Sequence, residues 1–404
     1  MSNKRNELSF VRWMRAKAVA CALVVSVASG CGPQASASRA ATAEEAAPVV
    51  RGYVAVVAAN YGESVTTAEA MRTAIRAMLA APSRETLASA RQAWITARVS
   101  YGQTEAFRFY GGPIDHESSG VEGQINAWPM DENYVDYVAG MPSTGIIQNA
   151  ATLPTITRAG LVMLNERGGE TNIATGWHAI EFLLWGQDSS AAGPGDRPHT
   201  DFVTGAAGTG GNVERRRQYL TEITDQLVED LTSVRDQWNV SSSGSYAAQW
   251  IAGDHNVALR NMLRGIGALA GTELSGERMS VAYEERDQED EHSCFSDNTH
   301  ADIVQNAIGI QNVWLGRYGA TDGPGLDDLV RARDPALAAR ITAEIQEGVD
   351  KARAIPAPFD QAILGADTTP GRTAIRGAIE AHRRNGRSIV EAAALLGLSI
   401  TVDV

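Results

Sequence analysis

Residues 175–188, TGWHAIEFLLWGQD, decide how this chain folds. Trp177, Ile180, Phe182, Leu183, Leu184 and Trp185 fit the stretch for a helical core rather than a surface helix. Inside it, His178 and Glu181 stand three apart, on one helix face, so an imidazole nitrogen and a carboxylate oxygen can converge on one point. Two chemistries use such a pair: metal ligation, and proton transfer between groups with displaced pKa values. A plain structural use stands beside them, because an ionisable group in an apolar helix must be paired. Gly176, two residues before the histidine, lets another backbone or a ligand approach closely.

Outward from this stretch the spacing stays helical, and few segments read as strands. Tyr53, Val56, Val57 and Tyr61 recur on one face, as do Leu220, Ile223, Leu227 and Leu231 in QYLTEITDQLVEDLTSVRDQW. SRETLASARQAW opens on a serine with a glutamate near the third helical position, a capped start. RTAIRGAIEAHRRNGRSIVEAAALLGL predicts a closing helix or helix pair broken near Gly386. The fold class is all-α, packed as bundles. A weak self-similarity suggests two tandem, related units. QTEAF (103–107) resembles GTELS (271–275), and IEFLLWG (180–186) lines up with IQNVWLG (310–316). A first bundle over 48–209 and a second over 212–404 would follow. The alignment sets Glu181 against Gln311 and His178 against Ile308, so only one copy carries the polar pair.

A metal at that pair needs further ligands from elsewhere. No His-Glu-x-x-His occurs, and the seven histidines are His116, His178, His199, His255, His292, His300 and His382. Candidate donors are Glu105 and Asp115 in YGQTEAFRFYGGPID, and the segment EDEHSCFSDNTHAD (289–302), where Asp297 and His300 stand among Glu289, Asp290, Glu291, His292 and Asp302. Oxygen and imidazole donors at this density suit iron, zinc, manganese or calcium. The plain reading is a solvated acidic loop ending in a helix cap. Arg108, three after Glu105, either latches that glutamate or orients a bound anion. Trp94, Trp128, Trp185 and Trp314 read as core fillers rather than a ligand platform.

The N-terminus reads as a targeting segment. Lys4, Arg5, Arg12, Arg15 and Lys17 precede the apolar residues 18–28, and Ala28-Ser29-Gly30-Cys31 follows. That order predicts a lipoprotein signal over 1–30, cleaved before Cys31, with the thiol then lipidated and holding the chain at a membrane surface. An ordinary secretory peptide cut nearby is the alternative. Gly32 in place of an aspartate favours an outer-membrane lipoprotein facing the periplasm over the inner membrane; a periplasmic or cell-surface position is the broader alternative. Residues 31–47 read as a flexible tether. Removing the signal takes five basic residues and one acidic one, so the formal charge goes from −13 to −17, a surface that repels nucleic acid. With Cys21 lost and Cys31 lipidated, Cys294 stands alone and a disulfide framework is excluded.

Taken together, the motifs resemble a known family. GWHAIEF matches the Gly-x-His-x-x-Glu signature of the imelysin-like proteins, and TEAFRFYGGPID, INAWPMDENYVD, LLWGQD, GDRPHTDF and EDEHSCFSDNTHADI resemble segments of its iron-regulated lipoprotein branch. The resemblance covers nearly the whole chain beyond the signal. It implies two related four-helix bundles with a site near their interface, carrying Gly176, His178 and Glu181 as signature residues. It also implies a role in bacterial iron acquisition, with iron-transport proteins as partners and iron, or else zinc, as the metal. Some members are described as metallopeptidases, so a peptidase with His178 and Glu181 as catalytic residues is a second expectation. A structural or adhesive surface lipoprotein is a third. A peptidase needs a well-ligated metal and a general base. Binding iron, or a chelate or protein that delivers it, asks only for acidic oxygens and an imidazole near a cleft, and is the leading expectation.

Overall fold

The structure is a computed structural model that describes residues 39–190 and 193–403. The expected signal segment, the lipidated Cys31 and the tether up to residue 38 lie outside the described residues. Among the described residues the chain is predominantly α-helical. Its eight α-helices of ten residues or more are α1 (Ala43–Ala80), α2 (Arg84–Thr104), α3 (Gly176–Trp185), α4 (Val213–Gln237), α5 (His255–Ala268), α6 (Thr299–Leu315), α7 (Pro335–Arg353) and α8 (Pro370–Leu395). A two-residue hairpin, Arg317–Tyr318 paired antiparallel with Thr321–Asp322, is the one sheet described. No described helix is long and apolar enough to cross a membrane.

Local chemistry sets the helix ends. α1 begins inside the expected tether, because Thr42 and Glu45 form a reciprocal capping box and Ala46, Val49 and Val50 are buried from the first turns. Tyr53, Val56, Val57 and Tyr61 then form the expected core stripe. α2 starts at the predicted serine, though Thr86, not the glutamate, returns the cap to Ser83. α8 runs unbroken through Gly386, against the predicted break. A Cβ there would stand 2.9 Å from the Gly271 Cα, so this glycine serves close helix contact instead of a turn.

Packing follows the buried faces. α1 lies along α2 and α4, and α3 wedges between α2 and α4; α5, α6, α7 and α8 pack among themselves. α5 continues into a π-helical stretch, Leu269–Ser280, which lies along α8. The two sets touch where α6 meets α2 and α5 meets α1. All ten residues of α3 are buried, as its all-round apolar sequence predicted. Gly176, at φ +84°, enters this helix where a Cβ would meet the Ile125 carbonyl oxygen at 2.4 Å. The close approach expected at this glycine is therefore made by backbone.

Residues 105–212 hold only short helices between α2 and α4, apart from α3. A buried ion cluster pins this span. Asp136 accepts from Arg197 at 2.9 Å and from Arg216 at 2.7 Å, while Asp201 accepts from Arg197 at 3.0 Å and from the Tyr137 hydroxyl at 2.6 Å. Both guanidinium groups also stack on the Tyr137 ring.

Candidate functional site

The helical spacing does bring the signature pair together. His178 Nδ1 and Glu181 Oε2 are 2.9 Å apart, with both side chains buried. The other carboxyl oxygen, Oε1, accepts from the Ser296 backbone N–H at 3.0 Å and its hydroxyl at 2.7 Å. Segment 291–302 therefore closes over α3 and fixes the glutamate. His178 Nε2 is buried with no hydrogen-bond partner. The His292 ring stands edge-on to the His178 ring, centroids 4.8 Å apart, and its Nδ1 faces Asp302 Oδ2 at 3.1 Å. Two imidazoles are thus each held at Nδ1 by a carboxyl group, leaving the Nε2 positions for other work.

Burial governs the charges. It pushes Glu181 up to about 8, against the pull of the Ser296 donors and Arg98. Burial also drives His178 down to about 3, helped by the nearby charge of Arg98, and His292 to about 3, helped by Arg278. Both shifts favour the neutral forms; a protonated Glu181 would donate from Oε2 to Nδ1 and leave the imidazole hydrogen on Nε2. Once the carboxyl ionises, the imidazole proton moves to Nδ1 and Nε2 presents a lone pair. Glu181 thus switches what Nε2 offers, from hydrogen-bond donor to ligand.

Beyond the pair lies a network that pattern reading missed. Arg98, on the buried face of α2 beside Trp94 and Tyr101, makes a forked pair with Asp302 at 2.9 and 3.3 Å. It also donates to Asn126 Oδ1 at 2.7 Å and stacks over Trp94, Tyr101 and Trp177. Burial alone would raise the Asp302 carboxyl, but Arg98 and His292 hold it far below the usual range. Glu105 sits further along, latched by Arg108 at 2.7 Å and by Arg278, from the π-helical stretch, at 2.7 Å. Against the burial that raises it, those two arginines hold Glu105 well below the usual carboxylate range. Arg108 is therefore the expected latch, and its second partner is Glu122 at 3.0 Å. One signal for Arg98 was available: an arginine in the apolar helical frame of WITARVSY needs a buried acid.

The remaining candidates scatter. Asp115 caps a turn, accepting from the Phe109 and Gly112 backbone N–H groups. Asp297 lies on a half-exposed turn at φ +57°, and burial with its acidic neighbours pushes it up to about 7. His300 is half-buried in the first turn of α6, its Nδ1 without a partner. Among the described residues no three His, Cys, Asp or Glu side chains are arranged to hold a metal ion, so Glu105, Asp297 and His300 do not join His178 and Glu181 as a ready-made set. Trp94, Trp185 and Trp314 are core, as expected. Trp128 instead borders the site, donating to the Glu291 carbonyl at 2.6 Å with its ring against His292.

Comparison with known proteins shows the family. Residues 57–389, most of the chain and all of the site, match the imelysin (peptidase M75) family model. The chain belongs to the imelysin family. It is 25% identical over 318 residues to iron-regulated protein A of Synechococcus elongatus, covering 77% of this chain and 76% of that protein. Two crystal structures share the imelysin fold seen here. One is a putative iron-regulated protein A precursor from Parabacteroides distasonis, with a TM-score of 0.68 at 19% identity, covering 89% of this chain and 96% of that one. The other is an imelysin-like protein from Psychrobacter arcticum, with a TM-score of 0.60 at 11% identity, covering 90% and 99%.

Proposed function

We propose that this imelysin-family chain is a binding component of bacterial iron acquisition, taking iron, or a chelate or protein that delivers it, at the His178–Glu181–His292 cluster. The observation that carries the reading is the buried, unpartnered Nε2 of His178, next to a second imidazole likewise held through Nδ1. Leaving a buried polar atom unpaired is costly, and such atoms concentrate where a ligand completes them. The iron-regulated name of the Synechococcus relative supports the choice of metal.

The donor set favours cargo over a resident hydrolytic metal. Hydrolytic zinc sites take three protein ligands and keep one open position. Here the carboxyl groups of Glu181 and Asp302 are already committed to imidazole, serine or arginine partners, and the charges of Arg98 and Arg278 oppose a bare cation. Iron that arrives with ligands of its own needs only the imidazole nitrogens. We further read the chain as two related helical bundles over the predicted 48–209 and 212–404, α1 to α3 in the first and α4 to α8 in the second, with the cluster beside the α2–α6 contact. In this reading the second unit carries Ile308 and Gln311 at the positions matched to His178 and Glu181. A lipid on Cys31 would tether the body at the outer membrane, within reach of transport proteins.

The test is calorimetric titration of the chelator-stripped chain with Fe(II), ferric citrate and Zn(II), repeated on His178→Ala and His292→Ala. Near-stoichiometric iron binding that weakens strongly in both variants is expected. Unchanged binding in His178→Ala, or none in the parent chain, overturns the reading. Zn-dependent cleavage of an unfolded protein that disappears in His178→Ala would replace it with the peptidase reading.

A further inference from the structure

Four side chains are bonded to or stacked against the two imidazoles from outside the pair: Glu181, Arg98, Asp302 and Trp128. The first three are buried, and Trp128 alone is half-exposed. Its ring meets the His292 ring nearly at right angles, centroids 5.6 Å apart. The sequence neighbours add little cover, since Ala127 and Met130 are half-buried and Pro129 is exposed. The route from solvent to the cluster that this arrangement leaves runs past the indole.

The backbone that carries Trp128 is held only at its ends. The Asn126 N–H donates to the Glu122 carbonyl at 2.8 Å, and the Asp131 N–H donates to the Thr171 carbonyl at 2.8 Å. Between those anchors, no backbone N–H or carbonyl of residues 127–130 hydrogen-bonds to another described residue. Backbone groups of that kind are served by water, so the span loses nothing of theirs by moving. Its one polar tie is the bond from the indole Nε1 to the Glu291 carbonyl, at 2.6 Å. The floor beneath is fixed, by contrast: Asp302 holds His292 at 3.1 Å, Arg98 holds Asp302 at 2.9 Å, and Arg98 also holds the Asn126 side chain at 2.7 Å.

We infer that residues 127–130 form a flap over the imidazole pair, latched by Trp128, and that the ligand of the histidine cluster enters by displacing the indole. The inference rests on reading the cluster as the binding site, although the movement itself needs no ligand. When Nε1 leaves the Glu291 carbonyl, the indole swings out on a span with no other polar tie. The His292 ring is uncovered first, with the His178 ring 4.8 Å beyond it. Arg98 and Asp302 keep their places, because their pairing involves no residue of the flap. Trp128 is thus a gating residue: it governs how fast the cluster is reached, and when closed it keeps water from the imidazole edge.

Histidine modification by diethyl pyrocarbonate, read by peptide mapping of the full chain, tests this without any metal. Exposed His116 and buried His382 serve as internal references. In Trp128→Ala, His292 should react about tenfold faster relative to His116, the scale of losing one hydrogen bond that held the closed form. His382 should stay protected. Trp128→Phe, which keeps a ring but not the bond to Glu291, should fall between Trp128→Ala and the parent chain. An unchanged His292 rate in Trp128→Ala overturns the flap, and so does a rise that His382 shares, since that is general unfolding. If Trp128→Ala does not fold, the His292 rate in Trp128→Phe decides by the same criterion. Iron titration of the parent chain is a separate result, so the binding reading and the flap can fail independently.

Discussion

Segment 291–302 has two faces that solve the same electrostatic problem in opposite ways. Toward α2, Asp302 and His292 enter a network in which each buried acid meets a guanidinium, as Asp302 meets Arg98 and Glu105 meets Arg108 and Arg278. Toward α3's far end and the short helix Phe359–Ala362, Glu291, Asp297, Asp188 and Asp360 have no basic partner among the described residues. Identical chemical groups, a few residues apart, are neutralised by a guanidinium on one side and pushed toward their own neutral form by burial on the other. Beside a guanidinium the carboxyl of Asp302 is held ionised; without one, burial pushes that of Glu291 toward its neutral form.

The sharpest way to break that comparison is to unpair the paired side. Asp302→Ala should destabilise the fold by about 3–5 kcal/mol in urea unfolding, because it strands the buried Arg98 charge. Removing charge from the other side should have the opposite sign. Glu291→Gln should stabilise by about 1 kcal/mol, because it removes a carboxyl whose charge burial penalises. A Glu291→Gln chain that unfolds as readily as Asp302→Ala would erase the distinction.

The His178–Glu181 pair lies between the two faces, and pH should expose it. Glu181 is raised from 4.5 to about 8, so its contribution to stability is full below pH 4.5 and is lost as pH climbs through 8. His178 is lowered from 6.5 to about 3, so its contribution is full above pH 6.5 and is lost as pH falls through 3. The stability gap between the parent chain and Glu181→Gln should therefore shrink steadily from pH 5 to pH 8, measured by denaturant titration at each pH. For the same reason, affinity of the stripped chain for Zn(II) should climb up to about tenfold per unit approaching pH 8, as the displaced proton is released. A flat profile would place the metal away from Nε2. The smallest effect belongs to the surface: Arg76→Ala, which breaks an exposed pair with Asp225, should cost about 0.2–1 kcal/mol.

Much of this was legible in the sequence. The all-round apolar run around Trp177 announced a buried helix, the i, i+3 spacing announced the His178–Glu181 contact, and the glycine at 176 announced the close approach that the 124–125 backbone makes. What stayed hidden was partner choice across long separations. Nothing local to Arg98 names Asp302, and nothing in the acidic run 289–302 separates His292 and Asp302, which turn toward arginines, from Glu291 and Asp297, which do not. Alternation along an irregular segment depends on its turns, and those are set by contacts such as Ser296 with Glu181. Gly386 misled for a related reason: a glycine that permits close helix contact looks, in one dimension, like one that ends a helix.

The forked contact between Arg98 and Asp302 joins residues 204 apart, and Arg278 reaches Glu105 across 173. Contacts so distant form only after most of the chain has been ordered, since closing a long loop costs entropy before any bond repays it. The first hairpin, α1 with α2, pairs neighbouring stretches of sequence and can form early. Its Arg98 pairs late, because that charge waits unneutralised until residue 302 is made and delivered. The Arg98–Asp302 contact therefore forms late, and a product truncated before α6 would keep His178, Glu181 and His292 yet lack the Asp302 that holds the second imidazole.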